Sequence, residues 1–83
     1  MKAGDVLYYV DKGAKFYFDV KLLGIEYLKE YNAELYKCEI LYNDYKFNNT
    51  EIYKPNFKLK GKIDTFPKLV LVNSKEEAEK AIL

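Results

Sequence analysis

The chain has 83 residues and no histidine, arginine or tryptophan, so it is too short for two self-sufficient cores and lacks the side chains that most catalytic and zinc sites use. Apolar residues make up 49% and fourteen residues are Tyr or Phe, which excludes a disordered chain. Fourteen lysines against thirteen acids leave a formal net charge of +1, so attraction to a polyanion has to come from local clustering.

The first predicted element is a strand entering a hairpin. In GDVLYYVDKG, Val6, Tyr8 and Val10 share one face, Leu7 and Tyr9 the other, and Asp11 to Gly13 supplies the turn. Adjacent Tyr8 and Tyr9 fall on opposite faces, which predicts at least one of them on the surface. In FYFDVKLLGIEYL, Phe16, Phe18, Val20 and Leu22 share a face, and Ile25 and Tyr27 continue one residue out of step. A bulge at Leu23-Gly24 restores that register.

The segment IEYLKEYNAELYKCEILYND carries two periodicities. A helix over 25–39 presents Ile25, Leu28, Tyr31, Leu35 and Cys38 at spacings of three and four and aligns Glu26, Glu30 and Glu34 as an acidic ridge. Strands present Tyr36, Cys38, Ile40 and Tyr42 in strict alternation, with EYNA as the turn before them and ND as the turn after. The β-formers of the second half and the β flanks favour strands. The ridge of the helical alternative is either a mimic of nucleic-acid phosphates or an ordinary solvated face.

YKFNNTEIY then predicts a hairpin with an Asn-Asn turn, and FPKLVLVN a last apolar strand with Pro67 at its first position or on an edge. Between them, YKPNFKLKGKID holds most of the local charge. From Lys54 to Lys68 there are five lysines and the single acid Asp64. In an extended segment Lys58, Lys60 and Lys62 form a stripe opposite Phe57, Leu59 and Gly61. Such a stripe, with Lys54, meets phosphates, although lysines on a strand's outer face also guard against edge-to-edge pairing. Without arginine, recognition of nucleic acid would be nonspecific.

SKEEAEKAIL closes the chain with a helix over about 75–83. Ser74 is the N-cap and Glu77 completes a capping box, Glu76 and Glu77 complement the helix N-terminus, and Ala78, Ala81 and Ile82 form the packing stripe. The expectation is one domain, 1–83, with strands over about 5–72 and a helix plugging one end of a small barrel.

The opening KAGDVLYYVDKG, at residues 2–13, and the ending LVLVNSKEEAEKAIL, at 69–83, resemble small SH3-like β-barrel proteins of phages, plasmids and bacterial mobile elements. The two pieces cover roughly a third of the chain, and the middle is longer than in that family. The resemblance implies a mainly β SH3-like barrel with a short C-terminal helix, the alternative being α+β with an added helix near 25–39. It also implies an accessory protein that binds a host protein, such as an inhibitor of a defence nuclease.

Chemistry is thin elsewhere. Asp5, Asp11 and Asp19 read as solvated turn residues, Cys38 as a small core side chain, and the four glycines are isolated, so no catalytic residue, cofactor or metal is expected. The lone cysteine and the lack of a secretory leader pattern predict a cytoplasmic setting, in which the NNT acceptor at Asn48 is silent. Apolar runs are far short of the ~20 residues that span a bilayer, so no membrane partner is expected. The candidate binding surface is therefore Lys54, Lys58, Lys60 and Lys62 with Tyr8 and Tyr9, for a host protein or for nucleic acid. A sponge for a small anionic ligand is the third class, and exposed β edges allow a homodimer.

Overall fold

The computed structural model describes residues 1–83, and alternation of side chains builds most of it. The antiparallel strands are β1 (Val6–Asp11), β2 (Phe16–Leu28), β3 (Ala33–Phe47), β4 (Ile63–Pro67) and β5 (Leu71–Val72), in the sheet order β4-β3-β2-β1-β5. One helix, α1 (Lys75–Ala81), follows. The β1–β2 turn spans 12–15, overlapping the expected Asp11–Gly13 but running two residues further: Asp11 Oδ1 accepts the Ala14 N–H at 2.8 Å, and Lys15 adopts φ +58°.

Residues 25–39 form no helix: 25–28 end β2, 29–32 are a turn and 33–39 begin β3. Tyr36, Cys38, Ile40 and Tyr42 are all buried on one face, a period of two that a helix would scatter around its axis. The turn spans 29–32, with Asn32 at φ +47°, one residue ahead of the expected EYNA. The acidic ridge goes with the helix: Glu26 pairs with Leu35 and Glu34 with Tyr27, so Glu26 and Glu34 project to opposite faces while Glu30 sits in the turn. The bulge at Leu23 is present, since Leu22 faces Cys38 and Gly24 faces Lys37.

The hairpin expected from YKFNNTEIY is absent. Residues 48–56 form turns and open loop, Phe57–Leu59 is a single 3-10 turn, and the chain re-enters the sheet only at Ile63. FPKLVLVN is not one strand either. Pro67 closes the edge strand β4, where its missing N–H costs no ladder bond, and a 3-10 turn over Lys68–Val70 separates it from β5.

Both faces of the sheet are covered. Leu7, Phe18, Val20, Leu22, Cys38 and Ile40 anchor the larger core, each fully buried aliphatic side chain contributing about 1.5–3 kcal/mol. On the other face Val10 and Tyr17 pack against Ala78 and Ile82 of α1. The Ser74 cap is formed, its Oγ accepting the Glu77 N–H at 3.2 Å, whereas Glu77 Oε2 reaches Asn73 N at 3.4 Å. α1 thus lies across β1 and β5 and plugs no end: β4 and β5 are opposite edges, and the sheet is not closed. No helix is long and apolar enough to cross a membrane.

Candidate functional site

The site begins with a detour in β3. Phe18 pairs with Tyr45 and Val20 with Ile40, so residues 41–44 all lie opposite Asp19. Asp19 is not a solvated turn residue: it is 4% exposed, and its Oδ1 accepts the N–H groups of Asn43 at 2.8 Å and Asp44 at 2.9 Å. That pair of charge-assisted bonds satisfies donors which the detour removes from the ladder. Tyr42 is held at φ +53°, a conformation rare for an aromatic residue.

The detour also changes which side chains share a face. Even-numbered residues from Tyr36 to Tyr42 face the core, and after the slip Phe47 faces it too, opposite Phe16. Aromatic rings therefore crowd together. Phe18 stacks on Tyr42 at 4.8 Å, Phe16 on Phe47 at 4.7 Å with planes 3° apart, and Tyr9 meets Phe66 of β4 at 5.1 Å. They line a pocket of about 300 Å³.

The loop between β3 and β4 forms the rest of this pocket. It supplies Tyr53, Lys54, Asn56 and Leu59, and Asp64 joins them from β4. Tyr42 Oη accepts the Asn56 N–H at 3.3 Å, and the Tyr53 ring lies 6.1 Å from Phe16. Gly61 at φ +83° turns the chain back, its N–H donating to Ile40 O at 2.7 Å. Burial pushes the Tyr9 and Tyr42 phenols above their ordinary range, so both rings stay neutral.

The lysines are rearranged relative to the expected stripe. Lys58 lies within the 3-10 turn, Lys60 follows it and Lys62 lies beyond Gly61, so the segment has no alternating face. Instead the four lysines are spread along an exposed loop whose Lys54 lines the pocket. Lys60 Nζ donates to Asn43 Oδ1 at 3.1 Å, and the molecule's one ion pair is elsewhere, Lys75 Nζ to Asp44 Oδ1 at 3.3 Å. Charge on the loop is unneutralised by any carboxylate in ion-pair contact.

Neither tyrosine of the YY pair is free surface. Tyr9 lines the pocket, while Tyr8 packs on the α1 side and donates its hydroxyl to Asp44 Oδ2 at 3.0 Å. Phe16, Phe18 and Tyr42, which alternation marks only as members of a strand face, belong to the site, as do Phe47, Tyr53, Asn56 and Asp64. For Phe16, Phe18, Phe47 and Tyr53 the one signal of a site was aromatic density in FYF and in YKFNNTEIYKPNF. A second cavity, of about 400 Å³ beside Leu69 and Val72, has mainly aliphatic walls and no comparable ring set. No group of three or more acidic, Cys or His side chains is placed to hold a metal ion.

Burial raises three acids elsewhere: Tyr8 and Tyr17 to about 12 and Cys38 to about 11. The hydroxyls of Tyr8 and Tyr17 also donate to Asp44 and Glu79, which disfavours their ionisation further. The folded state then holds protons that the unfolded chain releases, so stability is intact below pH about 9 and falls as pH climbs from there through about 12. Tyrosinate absorbance followed beside circular dichroism checks this. Ionisation of these two tyrosines should coincide with unfolding, and ionisation inside a still-folded sheet contradicts it.

No family model, curated protein or solved structure matches the chain.

Proposed function

We propose that the protein acts by stoichiometric binding and not by catalysis, its pocket taking one flat ring of a single-stranded nucleic acid while the loop lysines meet the flanking phosphates. The observation that carries this is the aromatic pocket lined by Lys54, on a loop that also bears Lys58, Lys60 and Lys62, none of them in an ion pair. Every base has a π-face, and ring stacking beside a basic track is the usual physical basis of single-strand binding. A volume of about 300 Å³ lies at the lower end of small-ligand sites, enough for one ring system. Asn56 and Asp64 at the rim offer polar groups to the edge of a base. A duplex hides its ring faces and is the poorer ligand.

Three or four phosphate contacts to a single strand give a slope of about −2 to −3 in log affinity against log salt. Anisotropy of a labelled single-stranded oligonucleotide, with its duplex as control, measures this directly. Changing Lys54, Lys58, Lys60 and Lys62 together to Gln should flatten the slope. Salt-independent binding, or equal affinity for the duplex, sinks the proposal.

A protein partner is the second reading, favoured by the exposed apolar side chains of Ile52, Tyr53 and Phe57 on the same loop. An aromatic or aliphatic anchor from a host protein then fills the pocket, as in an accessory protein that inhibits a defence nuclease. Such a partner is recovered from a host lysate with or without nuclease treatment, whereas a nucleic-acid tether is lost on treatment. For the architecture we favour an open SH3-like arrangement, supported by the strand order β5-β1-β2-β3-β4 and by the 3-10 turn that precedes β5.

A further inference from the structure

At the end of the molecule away from the pocket, the sheet narrows to two strands. β1 pairs no further than Lys21 and β4 no further than Leu35, itself opposite Glu26, so Tyr27–Leu28 and Ala33–Glu34 project beyond them as a two-stranded ribbon, with Ile25 and Glu26 at its base. The molecule is elongated, with extents of 39 × 23 × 21 Å. The ribbon's turn is braced rather than loose. Tyr31 N donates to Leu28 O at 3.2 Å, Asn32 N to Lys29 O at 3.4 Å, and the Tyr27 hydroxyl donates to Asn32 Oδ1.

Held this way, Tyr31 stands at the tip with 75% of its surface exposed, and Ile25, Tyr27 and Leu28 behind it are exposed too. Gathered apolar and aromatic side chains at one exposed end mark an interaction surface. The ribbon is also acidic, with Glu26, Glu30 and Glu34 against Lys29. Its chemistry is complementary to the pocket, which is aromatic within and bordered by a loop bearing Lys54, Lys58, Lys60 and Lys62. One copy cannot fill its own pocket, because Phe16 lines it at one end of the 13-residue β2 and Leu28 belongs to the ribbon at the other.

We infer that the ribbon of one copy docks, Tyr31 first, in the aromatic pocket of a second copy. The interface is heterologous, pairing different patches on the two partners, and it makes the ribbon a competitor for the site that receives a nucleobase. The inference rests on the pocket being a receptor for an aromatic ring, but not on nucleic acid being the other ligand.

Sedimentation velocity across rising protein concentration, at low and at high salt, tests it with two variants. Tyr31→Ala loses the tip and keeps the pocket; Tyr53→Ala combined with Lys54→Glu keeps the tip and damages the pocket. The wild-type chain should associate with concentration, less so in high salt, and each variant should associate at least about tenfold more weakly. Mixing the two variants should restore a 1:1 complex, since one contributes a ribbon and the other a pocket. A monomeric wild type, association that survives Tyr31→Ala, or a mixture that fails to pair overturns the inference. So does a dimer lost in Tyr31→Ala and unaffected in the pocket variant, which is the signature of ribbon-to-ribbon pairing. Tyr31→Ala should still bind a single-stranded oligonucleotide. Failure of that binding alongside restored pairing removes the nucleic-acid reading and leaves the ribbon interface standing.

Discussion

Replacing Asp19 with alanine is expected to destabilise the protein by about 3 kcal/mol or more, and to lower its melting temperature by roughly 12–24 °C. Hydrogen bonds to a charged acceptor are worth about 1.5–3 kcal/mol each, and Asp19 Oδ1 accepts two. Alanine removes both and leaves the N–H groups of Asn43 and Asp44 without this partner. Against the total of a small domain, commonly near 5 kcal/mol, such a loss leaves a marginal fold. Asp19→Asn keeps an acceptor oxygen but loses the charge and adds two donors, so its cost should be intermediate, about 1–2 kcal/mol. Urea titration of the three proteins orders them. If Asp19→Ala lies within about 1 kcal/mol of wild type, the detour in β3 is held by something other than this carboxylate. The effect should also reach the pocket, because residues 41–44 set the position of Tyr42 between Phe18 and the Asn56 N–H.

Changing Phe16 and Tyr53 together to leucine should weaken single-strand binding by about 1–3 kcal/mol, roughly 5- to 150-fold, and leave the salt slope as it was. Leucine preserves apolar bulk at both positions, so the sheet should survive, but it offers no flat π-face. The two halves of the proposed site are thereby separated: rings set the intercept of log affinity against log salt, and lysines set the slope. A slope that falls with the rings, or an intercept that stays put, removes base stacking as the source of affinity. Phe16 and Tyr53 are chosen because both line the pocket and neither is among the fully buried residues of the core.

Local periodicity was a reliable guide wherever one face of a strand is buried. Tyr36, Cys38, Ile40 and Tyr42 fall on that face as their alternation requires, the Leu23 bulge sits where two alternating sets fell out of phase, and Ser74 caps a helix whose Ala78 and Ile82 are buried. The site itself was poorly legible for a physical reason. The detour at 41–44 depends on a carboxylate 24 to 25 positions earlier in the chain, and no local pattern encodes such a partnership. The lysine stripe failed because alternation was assumed in a segment that contains a 3-10 turn and a glycine at φ +83°. The acidic ridge failed with its helix, since the same residues at spacing four have a second solution as a ribbon. Tyr8 and Tyr9 were half understood: they do face opposite sides, but both are half-buried, Tyr8 on the α1 side and Tyr9 against the larger core, where it lines the pocket.

The pairing of β1 with β5 joins Tyr8 to Val72 and Tyr9 to Leu71, across most of the chain. During synthesis the first three strands emerge early and can zip as neighbours, yet Val10 and Tyr17 wait for Ala78 and Ile82. A ribosome adding about 5–20 residues per second leaves that surface bare for seconds. A message truncated before residue 71 therefore yields a sheet with a sticky back that never acquires its cover, a ready substrate for chaperones and proteases. Val10 and Tyr17 are covered only once the chain has been read through Ala78 and Ile82.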